Sequence, residues 1–115
     1  METILQRLTD LDEIIGAVLV GKDGLIVAGT LRSDDEEVLA AMSAAVIGSI
    51  NNYTTQINSG EMRHVIIETH TGAVQLAEVS DLILVVTTTP TSNLGRIRLE
   101  MQKTCQQLTQ KVASY

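Results

Sequence analysis

Residues 38–60 form a run of 23 residues without a charged side chain, between Glu37 and Glu61. At 100° per residue, this run predicts one long helix with two unlike faces. An ordinary surface helix turns an apolar face to the core and a charged face to water. Here neither face carries a charge, so the face that points away from the core suits contact with protein rather than with water.

The two faces of this helix differ in the size of their side chains. The face with larger apolar side chains is predicted to pack on the core: Val38, Leu39, Met42, Val46, Ile50, Tyr53 and Ile57. The other face is small and is predicted to bind a partner: Ala40, Ala41, Ala44, Gly48, Asn51 and Thr55. A second layer of the same chain is the alternative cover for the small face. A membrane span is a weaker alternative, because the apolar part, residues 38–50, is shorter than the ~20 residues that a bilayer needs.

The size and charge of the chain limit the classes of function. Its 115 residues favour one domain, residues 1–115, and a hydrophobic content of 44% is enough to fill one modest core. The chain has 14 acidic and 8 basic residues, and its aromatic residues are Tyr53 and Tyr115. Nucleic acid and anionic membranes are therefore not expected partners. The N-terminal residues lack the pattern of a secretion signal and Cys105 is the only cysteine, so we expect a cytoplasmic protein that does not insert into a membrane.

The segments around the long helix predict an α+β fold. Helical periodicity predicts a first helix at residues 4–11 and a last helix from residue 94 to residue 112. Short apolar runs predict five strands, at residues 14–20, 25–30, 62–70, 73–79 and 82–89. Glycines at 21 and 24 suit a tight hairpin between the first two strands, and Ser33-Asp34-Asp35-Glu36 suits a capping box for the long helix.

Several strands are apolar on both faces, so both faces of the sheet must be covered. The predicted architecture is α-β-β-α-β-β-β-α: a five-stranded antiparallel sheet with the long second helix on one face and the terminal helices on the other.

The residues with catalytic or metal-binding chemistry do not form a recognisable site. Cys105 lies on the apolar stripe of the last helix without a histidine nearby in sequence, which favours a buried structural thiol. His64 and His70 share a strand face, but ~20 Å of extended chain separates them, which is too far for one metal ion. The acidic cluster Asp34 to Glu37 suits the positive end of the helix better than a metal, since nothing nearby completes a ligand set. We expect no catalytic, cofactor or metal site.

Three strings in the sequence resemble the Roadblock/dynein light chain family. The first is the hairpin VLVGKDGLIVAGT at residues 18–30, the second is the alanine-rich helix that follows it, and the third is SNLGRIRLEMQKTC at residues 92–105. The third string is the most specific, because it resembles the start of the last helix in the bacterial members. The resemblance covers nearly the whole chain.

The resemblance implies a homodimer, in which the second helices lie against each other and the third strands pair edge to edge. The dimer interface that it implies comprises Ala41, Ala44, Gly48, Arg63, Val65 and Ile67. Bacterial and archaeal members of the family commonly act on small Ras-like GTPases, so the resemblance implies such a partner. The partner-binding residues expected on the second helix are Ala40, Ala44, Ile47, Gly48, Asn51 and Thr55.

The family has no shared catalytic residue, so a non-enzymatic regulator or adaptor is expected. GTPase activators often insert an arginine at the transition state. Arg32 is the least constrained candidate, while Arg7, Arg96 and Arg98 are expected on the opposite face of the sheet. Two other classes stay open. One is a structural scaffold or filament subunit, and the other is a small-ligand sensor, which the scarcity of aromatic residues disfavours.

Overall fold

The computed structural model describes residues 2–30 and 35–113. The predicted cap residues Ser33 and Asp34 and the candidate Arg32 lie outside the described residues. The elements are α1 (Glu2–Thr9), β1 (Ile14–Gly21), β2 (Ile26–Gly29), α2 (Asp35–Gln56), β3 (His64–Thr69), β4 (Gly72–Val79), β5 (Leu82–Thr88) and α3 (Leu94–Ala113). The five strands form one antiparallel sheet in the order β2-β1-β5-β4-β3. The predicted order of elements and the antiparallel sheet are confirmed.

A hydrophobic core lies on each face of the sheet. On one face α1 and α3 cover a cluster that includes Leu5, Leu19 and Met101. On the other face α2 covers a cluster that includes Val20 and Ile83. Successive side chains of the central strands point alternately into the two cores, which explains why these strands are apolar on both faces.

The β1–β2 hairpin and the end of α2 depend on positive backbone angles. Gly24 has a φ of 88°, and the N–H of Gly21 donates to the carbonyl of Leu25 at 2.8 Å to close the turn. Helix α2 ends at Gln56, earlier than the uncharged run, and Asn58 (φ 61°) and Gly60 (φ 84°) then turn the chain. These turns return the chain towards β3 at the edge of the sheet.

The start of α3 is held by the loop that precedes β1. The side chain of Asn93 caps the helix by accepting from the N–H of Arg96 at 3.1 Å. One carboxylate oxygen of Glu13 accepts from the N–H of Asn93 at 3.0 Å, and the other contacts the guanidinium of Arg96 at 3.1 Å. Arg96 is thus engaged within the chain and is not a free cation.

Candidate functional site

Helix α2 packs on the sheet through a face that carries both small and large side chains. Ala40 is 0% exposed and Ile47 is 6% exposed, and Ser43 is buried between them. A Cβ atom added at Gly24 would lie 3.4 Å from Cα of Ala41 and 3.8 Å from Cβ of Ala44. The hairpin turn therefore rests against the small face of α2, and small residues are needed there for close packing within the chain.

The larger apolar side chains of α2 point mostly outwards. Val38 is 58% exposed, Met42 62% and Tyr53 65%, and Ile57, the residue after the helix, is 54% exposed. The prediction that these four side chains form core is wrong. Leu39 and Ile50, from the same predicted face, are partly buried and do pack against the core. Hydropathy could not orient the helix, because both faces lack charges and the packing of the hairpin decided between them.

The residues predicted to bind a partner differ in how far they are exposed. The side chains of Ala40 and Ile47 are covered by the chain's own sheet, which corrects their predicted role. Gly48 and Thr55 lie exposed on α2, and a Cβ added at Gly48 would have nothing within 4 Å. Asn51 is half-buried, and its side-chain oxygen accepts from the N–H of Met62 at 2.9 Å, which ties the loop before β3 to the helix.

We use the term outer face of α2 for the exposed side chains of this helix that carry no charge. It comprises Val38, Ala41, Met42, Ala45, Gly48, Ser49, Asn52, Tyr53, Thr55 and Gln56. These residues span 19 positions, or ~28 Å of helix. An exposed strip of this length without charges is unusual for a helix that faces only water.

The edge strand β3 is the second exposed element. Among the described strands β3 pairs only with β4, so its other edge has free backbone groups. Val65 and Ile67 are paired with Leu76 and Val74, which places both on the sheet face that α2 covers. Val65 is half-buried and Ile67 is 39% exposed. Arg63, the third residue predicted here, lies immediately before the strand and its carbonyl accepts from the N–H of Glu78.

A family model of the Roadblock/LC7 domain matches residues 1–88 of this sequence. The chain belongs to the Roadblock/LC7 family. An uncharacterized protein of Methanocaldococcus jannaschii is 32% identical over 109 residues, which cover 94% of this chain and 96% of that relative. The family predicted from the three strings is confirmed.

Solved Roadblock structures have the same fold over nearly the full chain. Myxococcus xanthus MglB superposes with a TM-score of 0.93 at 22% identity, covering 99% of this chain and 95% of MglB. The Roadblock/LC7 domain from Streptomyces avermitilis superposes with a TM-score of 0.92 at 17% identity, covering 98% of both chains. The structural likeness extends through α3, beyond the residues that the family model matches.

The titratable groups of this Roadblock domain include two that the fold perturbs. Burial raises the pKa of the Cys105 thiol to about 11, so the thiolate is scarce at neutral pH. Burial also lowers the pKa of His64. The hydrogen bond from His64 to Gln75 opposes this shift, and the positive charge of Arg98 adds to it.

Within residues 2–30 and 35–113, no three His, Cys, Asp or Glu side chains cluster closely enough to hold a metal ion. None of the helices in the same part of the chain has the length and hydrophobicity needed to cross a membrane.

Proposed function

We propose that this Roadblock domain is a homodimeric, non-enzymatic regulator that binds a small Ras-like GTPase through the outer face of α2. The observation that carries this proposal is the exposed, charge-free strip on that helix. Members of the family from bacteria and archaea commonly act on such GTPases, and the fold matches that of MglB. A rigid helix with flat, uncharged residues suits docking to a second protein surface.

Exposed apolar side chains on β3 and on α2 lie on the same side of the sheet, and they support the dimer. Pairing of two β3 edges about a two-fold axis would continue the sheet across both chains and place both α2 helices on the same face. The exposed Ile67 lies on that face. Met42 and Tyr53 lie on the helix flank that also carries Leu39 and Ile50, whereas Ala41 and Ala44 lie on the opposite flank, against the hairpin.

The two flanks of α2 therefore receive different roles in the proposal. The flank with Met42 and Tyr53 leans towards the part of the sheet that contains β3 and β4, and it meets the second helix of the partner chain. The opposite flank and the crest of the helix, with Ala41, Gly48 and Thr55, remain open to the GTPase. The sequence predicted Ala41, Ala44 and Gly48 at the dimer interface. In this proposal they lie instead on the flank of α2 that faces away from the partner chain.

Binding measurements with small GTPases from the same genome test this proposal. Each GTPase is loaded with GDP or with a non-hydrolysable GTP analogue, and its affinity for the domain is measured by calorimetry. We expect one of them to bind with an affinity that depends on the nucleotide.

Gly48→Arg should weaken that binding at least about tenfold, because it places a bulky charge on the open flank. Gly48→Ala is the matched control and should bind like the wild type, since a Cβ at this position meets no neighbouring atom. Equal binding by the arginine variant, or no binding of any of these GTPases by a folded dimer, would refute the proposed surface and favour a structural scaffold.

A further inference from the structure

A groove of about 680 Å3 lies between α3 and the start of β3, on the sheet face opposite α2. Arg63 and His64 line it at the start of β3, and Arg98, Gln102, Gln106 and Gln110 line it from α3. The groove is on the other side of the sheet from the proposed GTPase surface. A ligand in it would leave the outer face of α2 free.

The groove concentrates positive charge on an acidic protein. The chain has a net charge of −6, yet two arginines, Arg63 and Arg98, line this groove. Within the described residues neither guanidinium has an ion pair or a side-chain hydrogen bond. The acidic residue of the lining, Glu78, lies 3.6 Å from the ammonium group of Lys22. An anion in the groove would therefore meet two cations that have no side-chain partner among the described residues.

A buried amide fixes the imidazole beside these arginines. The side-chain nitrogen of Gln75 donates to the carbonyl of Leu94 at 3.1 Å, so the side-chain oxygen of Gln75 is left to accept from Nε2 of His64 at 2.7 Å. Gln75 is fully buried and holds the ring in place. The charged and titratable groups that line the groove are Arg63, His64, Glu78, Arg98 and Cys105. Arg98 is close enough to contribute to the lowered pKa of His64, which places the two groups in one electrostatic environment.

The length of the row of lining residues on α3 favours a peptide over a single small anion. Arg98, Gln102, Gln106 and Gln110 follow one another at one turn of helix, so this row spans ~18 Å. An extended chain of about five residues has the same length. Each glutamine amide offers a donor and an acceptor, which matches the alternating groups of a peptide backbone. A lone phosphate or carboxylate is too small to contact the whole of this row.

We propose that this groove binds a short, extended acidic segment of another protein, with its carboxylates on Arg63 and Arg98 and its backbone along the glutamines of α3. Guanidinium–carboxylate pairs supply charge-assisted hydrogen bonds, and the amides select an extended chain.

Binding of synthetic hexapeptides to the full chain tests this proposal. One set carries two adjacent glutamates at each possible position with varied neighbours, and a matched set carries glutamines instead. Fluorescence anisotropy should find acidic members that bind at least about tenfold more tightly than their glutamine counterparts. Arg98→Gln and Arg63→Gln should each remove most of that preference. Lys103→Gln is the control, because it makes the same change of charge on α3 outside the groove lining.

Two further readouts separate a peptide groove from a simple anion site. Proton NMR should show a rise in the pKa of His64 when an acidic peptide binds, and also in Arg98→Gln without peptide, since both reduce the positive potential at the ring. Inorganic phosphate at equal concentration should not displace the peptide. Displacement by phosphate, equal binding of acidic and glutamine peptides, or unchanged preference in both arginine variants would overturn the proposal.

Discussion

The effect of the contact between the hairpin turn and α2 on the free energy of unfolding can be measured by making the same substitution at two glycines. Gly24 and Gly60 have nearly the same backbone angle, with φ of 88° and 84°. Their surroundings differ. A Cβ at Gly24 would already be in contact with Ala41 and Ala44, whereas a Cβ at Gly60 would have nothing within 4 Å. Asparagine tolerates positive φ better than most residues, so Gly→Asn keeps the backbone cost small and similar at both positions.

The difference in the free energy of unfolding between the two variants isolates the cost of packing a side chain against α2. At residue 60 the asparagine side chain enters open space, and we expect a loss of at most ~1 kcal/mol. At residue 24 the atoms beyond Cβ must push the hairpin and helix apart, and overpacking of this kind costs a further ~1–3 kcal/mol. With a urea m-value of ~1–1.5 kcal/mol/M, a 2 kcal/mol difference lowers the midpoint of Gly24→Asn by ~1.5 M relative to Gly60→Asn.

Urea unfolding followed by circular dichroism at one fixed protein concentration measures both midpoints. Equal midpoints for the two variants would refute the packing of the turn on Ala41 and Ala44. Ala44 would then be open to a partner together with Ala41, Gly48 and Thr55.

Three other predictions concern the dimer, the histidine and the cysteine. Ile67→Lys should shift the mass measured by light scattering towards that of one chain, because a charge then lies at the paired β3 edges. Leu99→Lys, at an exposed position on α3, should leave the mass unchanged. Equal masses for the two variants would contradict the edge pairing. The lowered pKa of His64 means that the unfolded chain binds the proton more readily, so stability should fall as the pH drops below ~6.5 and should do so less steeply in His64→Gln; identical slopes in acid unfolding would refute this. Iodoacetamide at pH 8 should modify Cys105 at least about tenfold more slowly than free cysteine, because burial raises its pKa to about 11; an equal rate would contradict the burial.

The order of elements could be predicted because each segment carries its own periodic signal. The five apolar runs and the turn residues around Gly24 indicate strands and a hairpin without information from the rest of the fold. The position of α3 follows from the helical spacing that begins at Leu94. The cap of that helix is Asn93, and its position depends on Glu13, which is distant in sequence.

The orientation of α2 could not be predicted from the same signals. Its two faces differ in size but not in charge, so hydropathy does not decide which face is buried. The deciding contact joins Gly24 to Ala41 and Ala44, and no local pattern reveals it. The groove at Arg63 and Arg98 was missed for a related reason. Its two cations come from different elements, which only the sheet and α3 bring together.

The lack of charge along the outer face of α2 also bears on the speed of association. Long-range attraction between oppositely charged surfaces raises the rate of encounter well above ~10⁵–10⁶ M⁻¹s⁻¹, the range for surfaces without such attraction. A protein that approaches Val38, Met42 or Ser49 meets no charged side chain on that strip. The strip itself supplies no electrostatic steering, so complementary shape decides which collisions there are productive. Discrimination among similar partners at this surface consequently depends on how long each complex lasts rather than on how quickly it forms.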